Sequence, residues 1–176
     1  MAVTGPVLSS ERLDLWRPVK SDLTGIVKLL ADGETRRHLG AMHASEADCA
    51  TRLLRNAGSW ALHGYGTFIV RRRGEAGIIG NCGIFHSWRG FGKGMDDTPE
   101  AGWIIRHDCW GQGLAGEAMR AVIDWFDTVH GSQRVACMIE QGNTASERLA
   151  ARLGFIRYDQ HAAPEGGTLV LYQRPG

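Results

Sequence analysis

No two cysteines in this sequence stand close enough to make a CxxC pair; Cys49, Cys82, Cys109 and Cys137 are scattered along the chain. A disulfide framework or thiolate metal site needs clustered cysteines, so these four read as small hydrophobes in a reducing compartment. The seven histidines form no HExxH or close pair, and there is no GxxxxGK(S/T) loop. Zinc-peptidase and P-loop chemistry are thereby excluded, and no metal site is expected. Nor does any apolar run approach the roughly 20 residues that a membrane helix needs. No basic n-region precedes an apolar h-region, so the expectation is an unanchored cytoplasmic protein. An excess of charge of one sign is also missing, since 20 basic residues face 19 acidic ones. Arginine far outnumbers lysine, yet no long basic block appears, so neither nucleic acid nor a membrane surface is an expected partner.

What is present is a chain of 176 residues with 24 glycines and ordinary apolar content. That length suits one domain, 1–176, with a real core, and the glycines predict tight turns rather than disorder. Val7 to Trp16 alternates Leu13 and Leu15 with Arg12 and Asp14, as a first strand would. Ser21-Asp22 caps a helix carrying Leu23, Ile26, Val27, Leu29 and Leu30, closed by Gly33. A second helix begins near Ser45. Trp60 to Val70 and Ala76 to Phe85 read as strands joined by a charged turn. Gly77, Gly80 and Gly83 in the latter suggest a bulge or the close approach of another segment. Ser87 to Pro99 has no periodicity and reads as a mobile loop. Strands are expected at Glu100 to His107, Arg134 to Glu140, Phe155 to Tyr158 and Thr168 to Tyr172.

The densest signal is Ile104-Ile105-Arg106-His107-Asp108-Cys109-Trp110-Gly111-Gln112-Gly113-Leu114-Ala115-Gly116-Glu117. It reads as a strand end, a glycine turn and the first turn of a helix that continues through Met119, Val122, Ile123 and Phe126. Several backbone N–H groups share one concavity at such a junction and suit a phosphate or pyrophosphate. An ordinary strand-to-helix turn would look the same. Downstream, Asn143-Thr144 opens a short helix that Gly154 ends.

Three stretches carry a family resemblance covering essentially the whole chain. They are Ser10-Glu11-Arg12-Leu13-x-Leu15-x-x-Pro18, Gly102-Trp103-Ile104 through Trp110-Gly111-Gln112-Gly113-Leu114-Ala115-x-Glu117-Ala118, and Asn143-x-x-Ser146 followed by Leu153-Gly154-Phe155. In this order and spacing the sequence resembles the GCN5-related N-acetyltransferases (GNAT), in the branch that acetylates ribosomal-protein N-termini. The resemblance implies an α/β (α+β) fold. Its mixed, mostly antiparallel sheet of about seven strands would carry four helices and splay at the acetyl-CoA site. Acetyl-CoA is the implied cosubstrate and an amine the implied acceptor, either a protein N-terminus or a small molecule; a homodimer is left open. The pyrophosphate would sit on the N–H groups from Gly111 through Gln112, Gly113, Leu114 and Ala115 to Gly116. Pantetheine would bond to backbone around Ile104, Ile105 and Arg106. The family signature Gln/Arg-x-x-Gly-x-Gly/Ala falls on Trp110 to Ala115, with Trp110 departing at its first position. Asn143 resembles the family asparagine beside the pantetheine arm, and reads equally as a helix cap.

Moving an acetyl group from a thioester to an amine needs a neutral amine and a donor for the departing thiolate. Glu100 is the first candidate base, Glu140 the second, and His86 or Asp97 the third. Asp96, Asp97, Glu100 and Glu140 together would suit a cationic amine. Where many relatives carry a tyrosine, seven residues after the asparagine, this sequence has Ala150. That leaves Ser146, which matches the serine of this branch, or Tyr158 or Tyr172, as donor to the sulfur. Glu117 is expected to turn sideways onto backbone or an arginine. The alternative to an enzyme is a CoA-binding sensor or scaffold without transfer activity.

Overall fold

The computed structural model describes residues 5–40 and 44–176. Its sheet has eight strands: β1 (Leu8–Ser9), β2 (Leu13–Trp16), β3 (Thr67–Arg72), β4 (Ile78–Trp88), β5 (Asp96–Ile105), β6 (Val135–Glu140), β7 (Ile156–Ala162) and β8 (Thr168–Arg174). Helices α1 (Leu23–Ala31), α2 (Glu46–His63), α3 (Leu114–His130) and α4 (Thr144–Arg152) complete it. The strand order is β1-β2-β3-β4-β5-β6-β8-β7, and every neighbouring pair is antiparallel except β5 and β6. None of the described helices is long and apolar enough to cross a membrane.

Successive strand residues face opposite sides, so the sheet holds two apolar layers. On one side Ile26, Leu29, Leu30 and Cys49 from α1 and α2 pack on Ile69 and Ile104. On the other, Leu114, Ala118, Met119, Val122 and Phe126 of α3 pack against Phe68, Val70, Ile84 and Cys137. Each of these α3 side chains is at most 1% exposed. Burying one large apolar side chain contributes about 1.5–3 kcal/mol, so this stripe fixes where the N-terminus of α3 points.

Several expected elements change in detail. The single first strand is a small hairpin, with Leu8 opposite Leu15 and Ser9 opposite Asp14, which supplies the eighth strand. Trp60 belongs to α2, not to a strand. That helix runs on to His63 and stops at Gly64, whose φ of 77° no ordinary residue adopts readily. From α2, Asn56 and the Trp60 indole then hold both polar groups of the Thr67 backbone, starting β3 there. The segment expected as a mobile loop is strand at both ends, with β4 reaching Trp88 and β5 beginning at Asp96. Asp96 closes the hairpin by accepting from the Gly90 and Gly92 N–H groups, and Met95 is fully buried beneath it. Two of the three glycines mark close approach: a Cβ on Gly80 would lie 2.6 Å from the Ile104 carbonyl oxygen and one on Gly83 2.6 Å from Thr67 Cα, whereas Gly77 lies before β4 and a Cβ there would meet nothing within 4 Å.

Candidate active site

Strands β5 and β6 pair only at Glu100 with Ala136 and Ala101 with Cys137. Beyond those positions β5 stays with β4 as far as Ile105, while β6 stays with β8 as far as Glu140. The two strands therefore part in the middle of the sheet, each presenting an unpaired edge. A cleft of about 390 Å³ lies beside the freed end of β5, walled by the first turn of α3 and by α4. Of the expected cofactor residues, Ile104, Ile105, Trp110, Gly111, Gly113, Leu114, Ala115, Gly116 and Asn143 line it. Arg106 and Gln112 do not. The Arg106 N–H is donated to the Ile79 carbonyl (2.8 Å) and its guanidinium to Asp108 (2.6 Å). Gln112 accepts from Arg72 at 2.8 Å through its side chain and from Arg12 through its carbonyl.

Gly111 and Gly113 have φ of 72° and 74°, and a Cβ on Gly111 would meet nothing within 4 Å. Glycine is needed there for its backbone, and the space beside it is open to a ligand. The first N–H groups of α3 lack carbonyls four residues earlier, and no side chain caps Gly113. Arg120 and Arg152, which sequence reading missed, line the same cleft. Glycine turn, free helix N-terminus and two guanidiniums together fit a diphosphate. Trp110 donates its indole N–H to the Ile105 carbonyl (2.7 Å), tying the turn to the strand end. Glu117 is turned away from the cleft and accepts from Ser10 Oγ (2.7 Å) and from the Arg12 N–H (2.8 Å) and Nε (2.7 Å). Burial pushes its carboxyl up, but the bonds from Ser10 and Arg12 outweigh that and hold it below the ordinary glutamate value.

Asn143 and Ser146 line the cleft from the start of α4. Asn143 Oδ1 accepts from the Ser146 N–H (3.2 Å), so it caps α4 and lines the cleft at once. Ser146 Oγ accepts from the indole N–H of Trp103 at 3.1 Å. Tyr158 donates to the Lys93 carbonyl, at the far hairpin, and Ala150 is fully buried. Neither it nor Tyr172 is among the cleft's lining residues. Burial holds the Cys82 thiol up at about 12 and pushes Cys137 up as well, so neither offers a thiolate.

A second cavity of about 800 Å³ adjoins the first and shares His38, Leu39, Trp103 and Ile104 with it. Glu100 and Glu140 both line it. Glu140 Oε2 lies 2.7 Å from His38 Nδ1, a contact between residues 102 apart that sequence reading missed. His38 sits on the segment after α1, which is pinned to the glycine turn. Asp32 accepts from Thr35 Oγ1 (2.7 Å) and lies 2.8 Å from His107 Nδ1, and Thr35 Oγ1 accepts from the His107 N–H. Glu100 is 3% exposed in the middle of β5, and both its oxygens accept from Arg89.

Of the expected acidic cluster, Glu100 and Glu140 share the second cavity, while Asp96 and Asp97 do not line it. Asp96 caps the hairpin, Asp97 lies 2.9 Å from His86 Nε2, and Glu100 is neutralised by Arg89. Among the described residues no group of three or more His, Cys, Asp or Glu could hold a metal; His43 lies outside them.

Residues 12–156 match the acetyltransferase (GNAT) domain. The N-acetyltransferase p20 of Bacillus licheniformis, itself uncharacterized, is 25% identical over 151 residues, spanning 84% of this chain and 81% of that protein. A Bordetella pertussis structure ascribed to the GnaT-family acetyltransferases superposes with a TM-score of 0.85 at 30% identity, over 95% of this chain and 98% of that one. RimL, a ribosomal α-N-protein acetyltransferase solved in complex with coenzyme A, superposes with a TM-score of 0.77 at 14% identity over 96% and 97% of the two chains.

Proposed function

The chain belongs to the GNAT family of acetyl-CoA-dependent acetyltransferases, and on that premise we propose that it acetylates a primary amine directly, on a protein N-terminus or a small molecule. One observation carries the reading: the cleft beside the glycine turn meets the second cavity at His38 and Trp103, where a thioester and an amine would be face to face. Holding both reactants there makes a covalent enzyme intermediate unnecessary. Acetyl-CoA supplies the thioester; the residues supply position and proton traffic. An ionised Glu140 can only accept, so Nδ1 of His38 carries the proton and Nε2 keeps its lone pair for the incoming amine. Ser146, oriented by the Trp103 indole, donates its hydroxyl proton in a hydrogen bond to the departing sulfur. Glu100, engaged on both oxygens, holds Arg89 rather than taking the proton. The Ser10-to-Pro18 opening and the Asn143–Ser146 pair favour the branch that acts on ribosomal-protein N-termini; the likeness to RimL bears on the fold alone.

The test is thiol release from acetyl-CoA against N-terminal peptides, polyamines and free amino acids. His38→Ala or Glu140→Gln should lower kcat about a hundredfold or more, the usual range for losing a general base. Ser146→Ala should cost about tenfold or more. If neither His38→Ala nor Glu140→Gln slows turnover, the base assignment fails. Tight acetyl-CoA binding without thiol release on any amine would favour the sensor.

A further inference from the structure

The opening stretch Ser10-Glu11-Arg12-Leu13 takes no part in the chemistry above, yet its side chains reach the glycine turn and the start of α3, 100 and 105 residues further along the chain. Leu13 is fully buried, and the Arg12 carbonyl accepts from the Arg73 N–H at 2.9 Å, so the corner between β1 and β2 is fixed to the sheet. From that corner the Arg12 guanidinium spans both ends of the turn. Its Nε and Nη2 each lie 2.7 Å from Glu117 Oε2, in the first turn of α3, while Nη1 donates to the Gln112 carbonyl at 3.0 Å. Ser10 Oγ and the Arg12 N–H occupy the other oxygen of Glu117. The Gln112 side chain is held separately, by Arg72 at 2.8 Å.

Glycine takes φ of either sign at little cost, so the peptide between Gln112 and Gly113 is not held by its own backbone. In a planar trans peptide the carbonyl and the following N–H point opposite ways. Arg12 does not line the cleft and Gly113 does. With the Gln112 carbonyl on Arg12, the Gly113 N–H therefore faces the cleft, and among the described residues no backbone carbonyl accepts from it. A peptide turned over would aim a carbonyl oxygen at a bound diphosphate, replacing attraction by repulsion. Resting on the reading of this turn as the diphosphate cradle, we propose that Arg12 is a positioning residue that fixes the orientation of the Gln112–Gly113 peptide, with Ser10 and Glu117 as its anchor. Without it only a fraction of the molecules present the N–H, and affinity falls by that fraction.

Titration calorimetry with coenzyme A tests this, together with thiol release from acetyl-CoA against S-acetylpantetheine, which lacks the diphosphate. Arg12→Gln, at a half-exposed side chain, should fold normally by circular dichroism and bind coenzyme A about tenfold or more weakly, the worth of one charge-assisted hydrogen bond. KM for acetyl-CoA should rise with kcat at saturation unchanged, and kcat/KM for S-acetylpantetheine should not move. In the ligand-free variant the Gly113 amide resonance should shift or broaden, while those of Val135–Glu140 stay in place. Arg12→Lys keeps the charge but offers one ammonium in place of the fork, and should recover little of the affinity. Wild-type affinity in Arg12→Lys would reduce Arg12 to a charge and overturn the inference. So would unchanged affinity in Arg12→Gln, or an equal loss with S-acetylpantetheine; each leaves the cradle intact. Wild-type protein that binds coenzyme A no better than pantetheine would sink the cradle itself, and the inference with it.

Discussion

At the scale of single residues, Asp32 shows how a side chain outside the reaction can govern it. It anchors the segment bearing His38 to the glycine turn through Thr35 and His107. The Thr35 hydroxyl first, then His107 and the backbone of Thr35 and Glu34, hold its carboxyl at about 2, against an ordinary 3.8. A carboxyl depressed in this way contributes its full anchoring above the unfolded value of 3.8 and loses it as pH falls through about 2. Amide exchange in residues 33–39 should therefore stay slow down to about pH 4 and quicken below that. In Asp32→Asn it should be fast at every pH, with kcat down about tenfold or more through misplacement of His38. Unchanged exchange in the variant would show that the segment is held by something other than Asp32.

At the scale of elements, the glycine turn and α3 were legible in the sequence because their causes are local. Gly111 and Gly113 set the backbone, and the spacing of Leu114, Ala118, Val122 and Phe126 sets the buried face. Where local cues misled, a longer-range contact decided. Trp60 to Gly66 reads as strand by apolar content, yet Gly64 ends a helix there and Asn56 and Trp60 start the strand later. The His38–Glu140 pair was illegible for the same reason, since it exists only once the sheet order brings them together. The local part gives the sharper expectation. Gly113 is the cap of α3 in the left-handed region, where an ordinary side chain costs about 1–2 kcal/mol and a β-branched one more. Gly113→Val should keep the circular dichroism of the fold and weaken acetyl-CoA binding at least about tenfold. Normal affinity in a folded variant would sink the diphosphate cradle.

On the scale of the whole molecule, the open seam between β5 and β6 is the property that the rest of the sheet serves. Glu100 and Ala101 hold the strands together at one end, and their outer neighbours hold them apart at the other. Eight strands thus behave as two antiparallel blocks joined by a short parallel clasp. The alternate amides of 102–105 and 138–140 that face the seam have no strand partner there, so they should exchange readily without ligand. A pantetheine arm lying in the seam would pair with some of them, acting as an added strand. Saturating coenzyme A should therefore slow exchange on both lips, not merely at the glycine turn. At a ligand concentration about a hundred times Kd the fold should gain about 2.7 kcal/mol, seen as a rise in Tm. Protection confined to residues 111–116 would mean that the cradle binds the diphosphate while the arm lies elsewhere, and the junction at His38 and Trp103 would then lose its claim to the chemistry.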